Sequence, residues 1–317
     1  MGPLAAHVAA VTLQADAAGI AEPTAYLMNQ LSLFLSTKAL YVESEALSRR
    51  ALAIVEKESG PEHQSVAACL NNLAQIMQDT NRIAEAEPLM RRALAIVERE
   101  YGLDHPTVAL SLGNLAALLQ DGKRFKEAEP IMSRALAIDE KSFGPYHERV
   151  AKHLNNLGHL LKVTGRVAEA EPLMRRALAI DEKNFGSEHP DISVRLNNLA
   201  QLLHERKSFK EAEPLMRRAL AIDEKILGLD HPNVAIRLTN LARLLHATKR
   251  LDEAEPLMRR HVAIFVELAR RTGYRHPHFN DAFGNYCLLL TDMGKSQAEI
   301  DAACAELMRP LGDNPSG

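Results

Sequence analysis

The chain has 317 residues, enough for one large domain or two to three ordinary ones. Its hydrophobic fraction of 46%, with six Tyr, eight Phe and no Trp, implies an aliphatic core rich in the helix formers Leu and Ala. A formal net charge of −3 gives no global pull toward nucleic acid or anionic lipid, and Cys69, Cys287 and Cys304 are too few and too scattered for a disulfide framework or a zinc cluster, so a reducing, cytoplasmic setting is expected.

In chain order, Met1 to Pro23 is rich in Ala but lacks a basic n-region and carries Asp16, so residues 1–25 are expected to form an N-terminal helical cap or junction rather than a leader. No stretch reaches the roughly 20 apolar residues of a spanning helix. From Tyr26 the sequence repeats itself with a step of 42. Leu196-Asn-Asn-Leu-Ala200 recurs as Leu70-Asn-Asn-Leu-Ala74 and Leu154-Asn-Asn-Leu-Gly158, and more loosely at Met28, Leu112 and Leu238. Glu-Ala-Glu-Pro ends at Pro88, Pro130, Pro172, Pro214 and Pro256, and glycine recurs at Gly60, Gly102, Gly144, Gly186 and Gly228. The next such glycine, Gly273, comes after 45 residues, which places a three-residue insertion after Ile264. Six repeats are therefore expected to about His278, then a degenerate seventh, so that residues 26–311 form one array and residues 312–317 a disordered tail.

Each repeat reads as two helices. Leu196, Leu199, Ala200 and Leu203 follow i, i+3, i+4, i+7 in the first, and Ala212, Leu215, Met216, Ala219, Leu220 and Ile222 keep helical spacing in the second. The glycine is expected in the left-handed helical conformation past the second helix, and His-Pro at 105–106, 189–190 and 231–232 to open the next. Pro214 and its equivalents should delay or kink the second helix. Pairs such as Glu87 with Arg91 and Glu213 with Arg217 read as weak i, i+4 props, and Asp139-Glu140, Asp181-Glu182 and Asp223-Glu224 as solvated faces.

Units that cannot bury their own faces must stack. The combined pattern resembles the tetratricopeptide repeat family in the 42-residue form of kinesin light chains and many bacterial proteins. That resemblance implies an all-α fold, a right-handed α-solenoid superhelix of stacked antiparallel helix pairs.

Helical phase puts Asn197, Asn198, Gln201, His204 and Glu205 on a stripe away from the apolar face, directed at the concave groove. The same stripe carries Asn71, Asn72 and Gln75, then Asn114, then Asn155, Asn156, His159 and Lys162, then Asn240, Arg243 and His246. Asparagine is a poor mid-helix residue, and a carboxamide can both donate to and accept from an extended peptide backbone. The resemblance assigns peptide-backbone contact to Asn72, Asn114, Asn156, Asn198 and Asn240, more weakly to Asn285. Gln75 shares the groove stripe, and the variable stripe positions His159, Lys162, Gln201, His204, Arg243 and His246 are expected to carry specificity. The alternative is that these asparagines only bond neighbouring helices.

Other chemistries find no support in the pattern. His63, His105, His147, His189 and His231 lie one repeat apart, about 10 Å for stacked helix pairs, and read as turn residues rather than metal ligands. Gly294-Lys295-Ser296 lacks the upstream glycine of a phosphate loop, since Leu289 stands there. With no hydrolase, metalloprotease or dithiol motif, neither an enzyme nor a cofactor or metal is expected. Arg-Arg pairs at 49–50, 91–92, 175–176, 217–218 and 259–260 leave RNA as a less favoured ligand, since Glu residues flank them without stacking aromatics.

The expected function is thus a non-catalytic scaffold for a protein or peptide partner, without nucleic acid or membrane. A second expectation comes from the start of the chain. Leu4 to Ala25, running into Leu27-Met-Asn-Gln-Leu31, resembles the junction before the repeats of bacterial signal-transducing NTPases, which would make the chain the detached sensor arm of such a protein.

Overall fold

The computed structural model describes residues 22–36, 40–272 and 279–309, together with Ala10, Thr12, Gln14 and Ala15. Most of the N-terminal cap, Tyr274 to His278 and the C-terminal tail lie outside the described residues, and so does Gly273. The described chain is all-α, a solenoid of helix pairs, and divides into two compact units, Met1–Thr164 and Gly165–Gly317.

The first unit holds α1 (Glu22–Ser36), α2 (Tyr41–Ser59), α3 (Gln64–Asp79), α4 (Ile83–Tyr101), α5 (Pro106–Asp121), α6 (Phe125–Phe143) and α7 (Glu148–Val163). Each helix packs mainly on its chain neighbours, and the odd-numbered helices also touch one another, α1 with α3, α3 with α5 and α5 with α7. The core between pairs is aliphatic: Val66 and Leu70 of α3, Ala93 and Ile96 of α4, Val108 and Leu112 of α5 and Ile138 of α6 form one buried cluster. Between α1 and α2 small hydroxyls take over, Ser32 Oγ lying 2.9 Å from Ser44 Oγ and 2.6 Å from Ser48 Oγ, all buried.

The second unit holds α8 (Val167–Phe185), α9 (Pro190–Glu205), α10 (Phe209–Leu227), α11 (Pro232–Ala247), α12 (Leu251–Thr272), α13 (Phe279–Asp292) and α14 (Gln297–Met308). It repeats the scheme, with α9 touching α11. At 22 residues, α12 is three longer than the 19-residue α10, so the insertion inferred after Ile264 extends this helix. Phe279 and Phe283 lie on α13, the first buried and the second half-buried.

The recurring residues explain where helices start and stop. His63, His105, His147, His189 and His231 are N-caps: each Nδ1 accepts the backbone N–H two residues on, at 3.1–3.3 Å. Proline follows at the first position of α5, α9 and α11, where no N–H partner is lost. Tyr101, Phe143 and Phe185 stack on the histidines four residues later, with centroids 4.3–4.7 Å apart.

The glycine after each second helix differs from expectation. Gly102 has φ 82° and ψ 166°, a positive φ with extended ψ that is open essentially to glycine alone. The left-handed helical position falls instead in the other turn, on Asn81, Lys123, Lys207 and Lys249, with φ of 58–62°. Pro214 neither delays α10, which begins at Phe209, nor interrupts it. It sits within the first two turns, and the carbonyl it leaves without an amide donor belongs to exposed Lys210, where water can reach it.

A further expectation is corrected by burial. Asp139, Asp181 and Asp223 are not solvated: they are 0%, 1% and 3% exposed. Asp181 Oδ2 takes Nε of buried Arg195 at 2.9 Å, and Asp223 does the same with Arg237. Where that arginine is replaced by His153, Asp139 Oδ2 meets His153 Nε2 at 3.1 Å and Arg149 Nε at 3.0 Å. The i, i+4 Glu–Arg props, in turn, are halves of larger clamps. Glu87 bonds Arg91 on its own helix and Arg124 at the start of α6, at 2.8 and 2.5 Å. Glu45 and Glu213 are held likewise by Arg82 and Arg250, and Arg206 reaches Glu171 where Ser208 replaces the usual arginine.

Candidate functional site

Helix phase separates the two asparagines of each first helix. Asn155 and Asn197, the leading members, are only 5% exposed, which corrects their placement on the groove stripe. Asn72, Asn114, Asn156, Asn198 and Asn240, the second members, are half-buried at its edge. In the second unit the two positions are joined, Asn240 Nδ2 donating to Asn197 Oδ1 at 2.8 Å between α11 and α9. The equivalent partners in the first unit are Asn71 with Asn114 and Asn29 with Asn72, and there the rung is open: the buried Oδ1 atoms of Asn29 and Asn71 have no hydrogen-bond partner among the described residues.

The open rungs border space. A cavity of ≈ 470 Å³ is lined by Gln64, Asn71, Asn72, Tyr101, Ser111 and Asn114. A second, of ≈ 530 Å³, is lined by Tyr26, Asn29, Ile54, Val55 and Cys69. Gln75 is exposed, and its Nε2 donates to Asp79 Oδ1 at 3.0 Å on the same helix. On α7, Asn156 Oδ1 accepts from Asn155 Nδ2 at 3.4 Å, His159 is exposed and Lys162 is half-buried.

In the second unit a cavity of ≈ 430 Å³ gathers four sequence-predicted residues, Gln201, His204, Asn240 and Arg243, beside Phe209 and Met216. An adjoining one of ≈ 300 Å³ shares His204 and Arg243 and adds His246, Asn285, Met258 and Leu288. Asn198 lines neither. The His204 ring meets Phe209 edge-on at 5.4 Å, and His246 Nε2 is fixed to Asp292 Oδ2 of α13 at 2.6 Å. Arg243 is exposed and makes no ion pair among the described residues. Sequence reasoning missed Met258 and Leu288, whose apolar side chains look like ordinary members of a helical stripe.

The Arg-Arg pairs are occupied within the protein. Arg92 spans Glu56 Oε1 and the carbonyl of Pro61, both at 2.7 Å, and Arg134, Arg218 and Arg260 repeat that clamp with Glu98, Glu182 and Glu224. Gly294 forms the turn before α14, and Ser296 is the N-cap of a capping box with Glu299. No three His, Cys, Asp or Glu side chains cluster as metal ligands among the described residues, and no described helix is long and apolar enough to cross a membrane.

Comparison with known proteins decides the family. The sequence model of the tetratricopeptide repeat matches residues 23–99, 77–141, 107–183, 149–225 and 191–265 in overlapping registers. The chain belongs to the tetratricopeptide repeat family. No curated protein matches this tetratricopeptide repeat chain. Among solved structures it is similar to the nearly identical tetratricopeptide-like repeats of a kinesin light chain-like protein from Podosopora anserina, at 27% identity and a TM-score of 0.55, over 67% of this chain and 100% of that one. BtubC (BKLC) from P. vanneervenii shares the fold at 24% identity and a TM-score of 0.58, over 75% and 92%. So does a signal transduction ATPase with numerous domains (STAND) and a tetratricopeptide repeat sensor from Pyrococcus horikoshii, at 16% identity and 0.63, over 90% of this chain but 41% of that one.

Proposed function

We propose that this tetratricopeptide repeat chain is a non-catalytic, cytoplasmic scaffold that binds an extended segment of a protein partner along its first helices. The observation that carries this reading is the contrast between rungs. Asn240 is committed to Asn197, whereas Asn71 and Asn114 line one cavity and Asn71 Oδ1 lacks that bond. A buried carboxamide oxygen left without a donor is costly, so this rung has cause to rearrange when the backbone N–H groups of an extended peptide enter the cavity as donors. The cavities of the second unit, where Gln201, His204 and Arg243 converge with Asn285, supply side-chain contacts that would discriminate between peptides. Intramolecular clamping of the Arg-Arg pairs argues against RNA as the ligand.

The test compares rungs. After affinity capture has named a partner, its binding segment is titrated against Asn72→Ala/Asn114→Ala and against Asn240→Ala. The expected outcome is at least about tenfold weaker binding for the double variant with an unchanged melting temperature. Asn240→Ala is expected to lower the melting temperature, since it breaks a bond worth about 1 kcal/mol. Unchanged affinity in the double variant would move the partner to another surface.

A second reading makes the chain the sensor arm of a signal-transducing NTPase. What favours it is the Pyrococcus match, in which 90% of this chain aligns with 41% of the larger protein. An NTPase captured as the bound partner would support this reading over a freestanding scaffold.

A further inference from the structure

The last two helices bring together two cysteines that the groove does not use. Cys287 Sγ of α13 and Cys304 Sγ of α14 lie 3.4 Å apart, and both side chains are half-buried. Cys69, by contrast, is buried alone in the first unit. A disulfide bond needs about 2.05 Å, so the two sulfurs must approach by about 1.3 Å to form one. The helix that would be tied is weakly seated. Ile300 is the one fully buried residue of α14 among the described residues, with Ala303, Cys304 and Leu307 half-buried, and polar holds come from Arg259 with Glu306 at 2.6 Å and Arg270 with the carbonyl of Arg309.

We infer that Cys287 and Cys304 are a redox-sensitive dithiol, which a low-molecular-weight disulfide oxidises to an intramolecular bond that locks α14 onto α13. The step balances. One protein thiolate attacks a sulfur of the small disulfide and releases one small thiolate, leaving a mixed disulfide. The second protein thiolate then attacks the protein sulfur of that mixed disulfide and expels the other small thiolate. Two electrons and two protons pass from the protein to the oxidant, which leaves as two thiols. Burial, with the neighbouring Cys287 thiol, pushes the Cys304 thiol up to about 11, which lowers its thiolate fraction at neutral pH and slows its attack. The bond would close a loop spanning 17 positions, short enough for the turn between α13 and α14 to remain as it is.

The experiment uses the full chain equilibrated with glutathione disulfide and glutathione at set ratios, then alkylated, digested and analysed by mass spectrometry, with hydrogen exchange on the same samples. Expected is a linked peptide pair containing Cys287 and Cys304, with Cys69 alkylated and amide exchange in residues 297–308 slowed about a hundredfold. Cys287→Ser and Cys304→Ser are each expected to abolish the link and leave exchange insensitive to the glutathione ratio. Stable glutathione adducts on both cysteines without a link, or a link between two chains, would overturn the dithiol. An intramolecular link that leaves exchange in 297–308 unchanged would overturn the lock.

Discussion

At the scale of single residues, the repeating histidine has a definite task. His231 accepts the N–H of Asn233 through Nδ1 at 3.1 Å and opens α11, with Pro232 as the first helical residue. Removing that acceptor leaves an amide at the helix start without its partner, so His231→Ala should cost about 1 kcal/mol. Asparagine is a strong N-cap, and His231→Asn should recover most of the loss. Thermal melting of both variants checks this, and equal losses would show that the ring, not the cap bond, matters. The role was only half legible in the sequence: the step of 42 and the following proline marked a helix start, but nothing marked the imidazole as the acceptor. The buried aspartates were misread for a related reason. Asp181 and Asp223 find their arginines 14 residues further on, on the next helix, a separation that no within-helix spacing rule tests.

At the scale of helices, the Glu-Ala-Glu-Pro block is a clasp between successive second helices. Its second glutamate meets an arginine 37 residues later, as Glu87 meets Arg124 and Glu213 meets Arg250. The apolar stripe and the turns were legible because burial imposes the helical period on the sequence. The clasps were not, because the sequence shows the i, i+4 half of each and hides the half in the next repeat. For the same reason the amide ladder was readable but the cavity walls were not, since Met258 and Leu288 reach the site from other helices than those carrying Arg243 and Gln201. The clasps set the response to acid. Glu45 and Glu213 are held below the usual carboxylate range chiefly by Arg82 and Arg250. For Glu87 and Glu171 burial acts upward, but the paired arginines outweigh it and the net direction is again down. Carboxylates lowered on folding stabilise above their unfolded values, about 4.3 for Glu, and lose that contribution as pH falls through the folded values. Asp181 has the opposite sign: burial raises it against the pull of Arg195. Its contribution is present below the unfolded value, about 3.9 for Asp, and is lost as pH rises through the folded one. Four clasps against one buried aspartate predict a melting temperature that falls below about pH 4.5. Glu87→Gln should lower stability at neutral pH by up to about 1 kcal/mol and flatten the acid limb. Melting curves between neutrality and pH 3 measure both, and an unchanged acid limb would mean that other carboxylates control it.

At the scale of the whole molecule, the described residues pack into separate hydrophobic clusters. The cluster around Leu112 draws on α3, α4, α5 and α6, with partly buried Leu52 and Val55 of α2 against it, and on no residue of the second unit. Ile192, Leu196, Ala219 and Ile222 form a separate cluster between α9 and α10. Stability in such a stack is close to a sum of repeat and neighbour contributions, so damage should spread with distance along the chain rather than all at once. Leu112 is 2% exposed, and Leu112→Ala would leave a cavity costing about 2–5 kcal/mol. Hydrogen exchange should then quicken most in α5, next in α4 and α6, and little in α9 to α12, with the thermal transition splitting in two. A single core shared by the whole chain would instead lose protection everywhere by the same factor. Uniform acceleration in Leu112→Ala would therefore contradict nearest-neighbour stability, whereas a graded loss would support it.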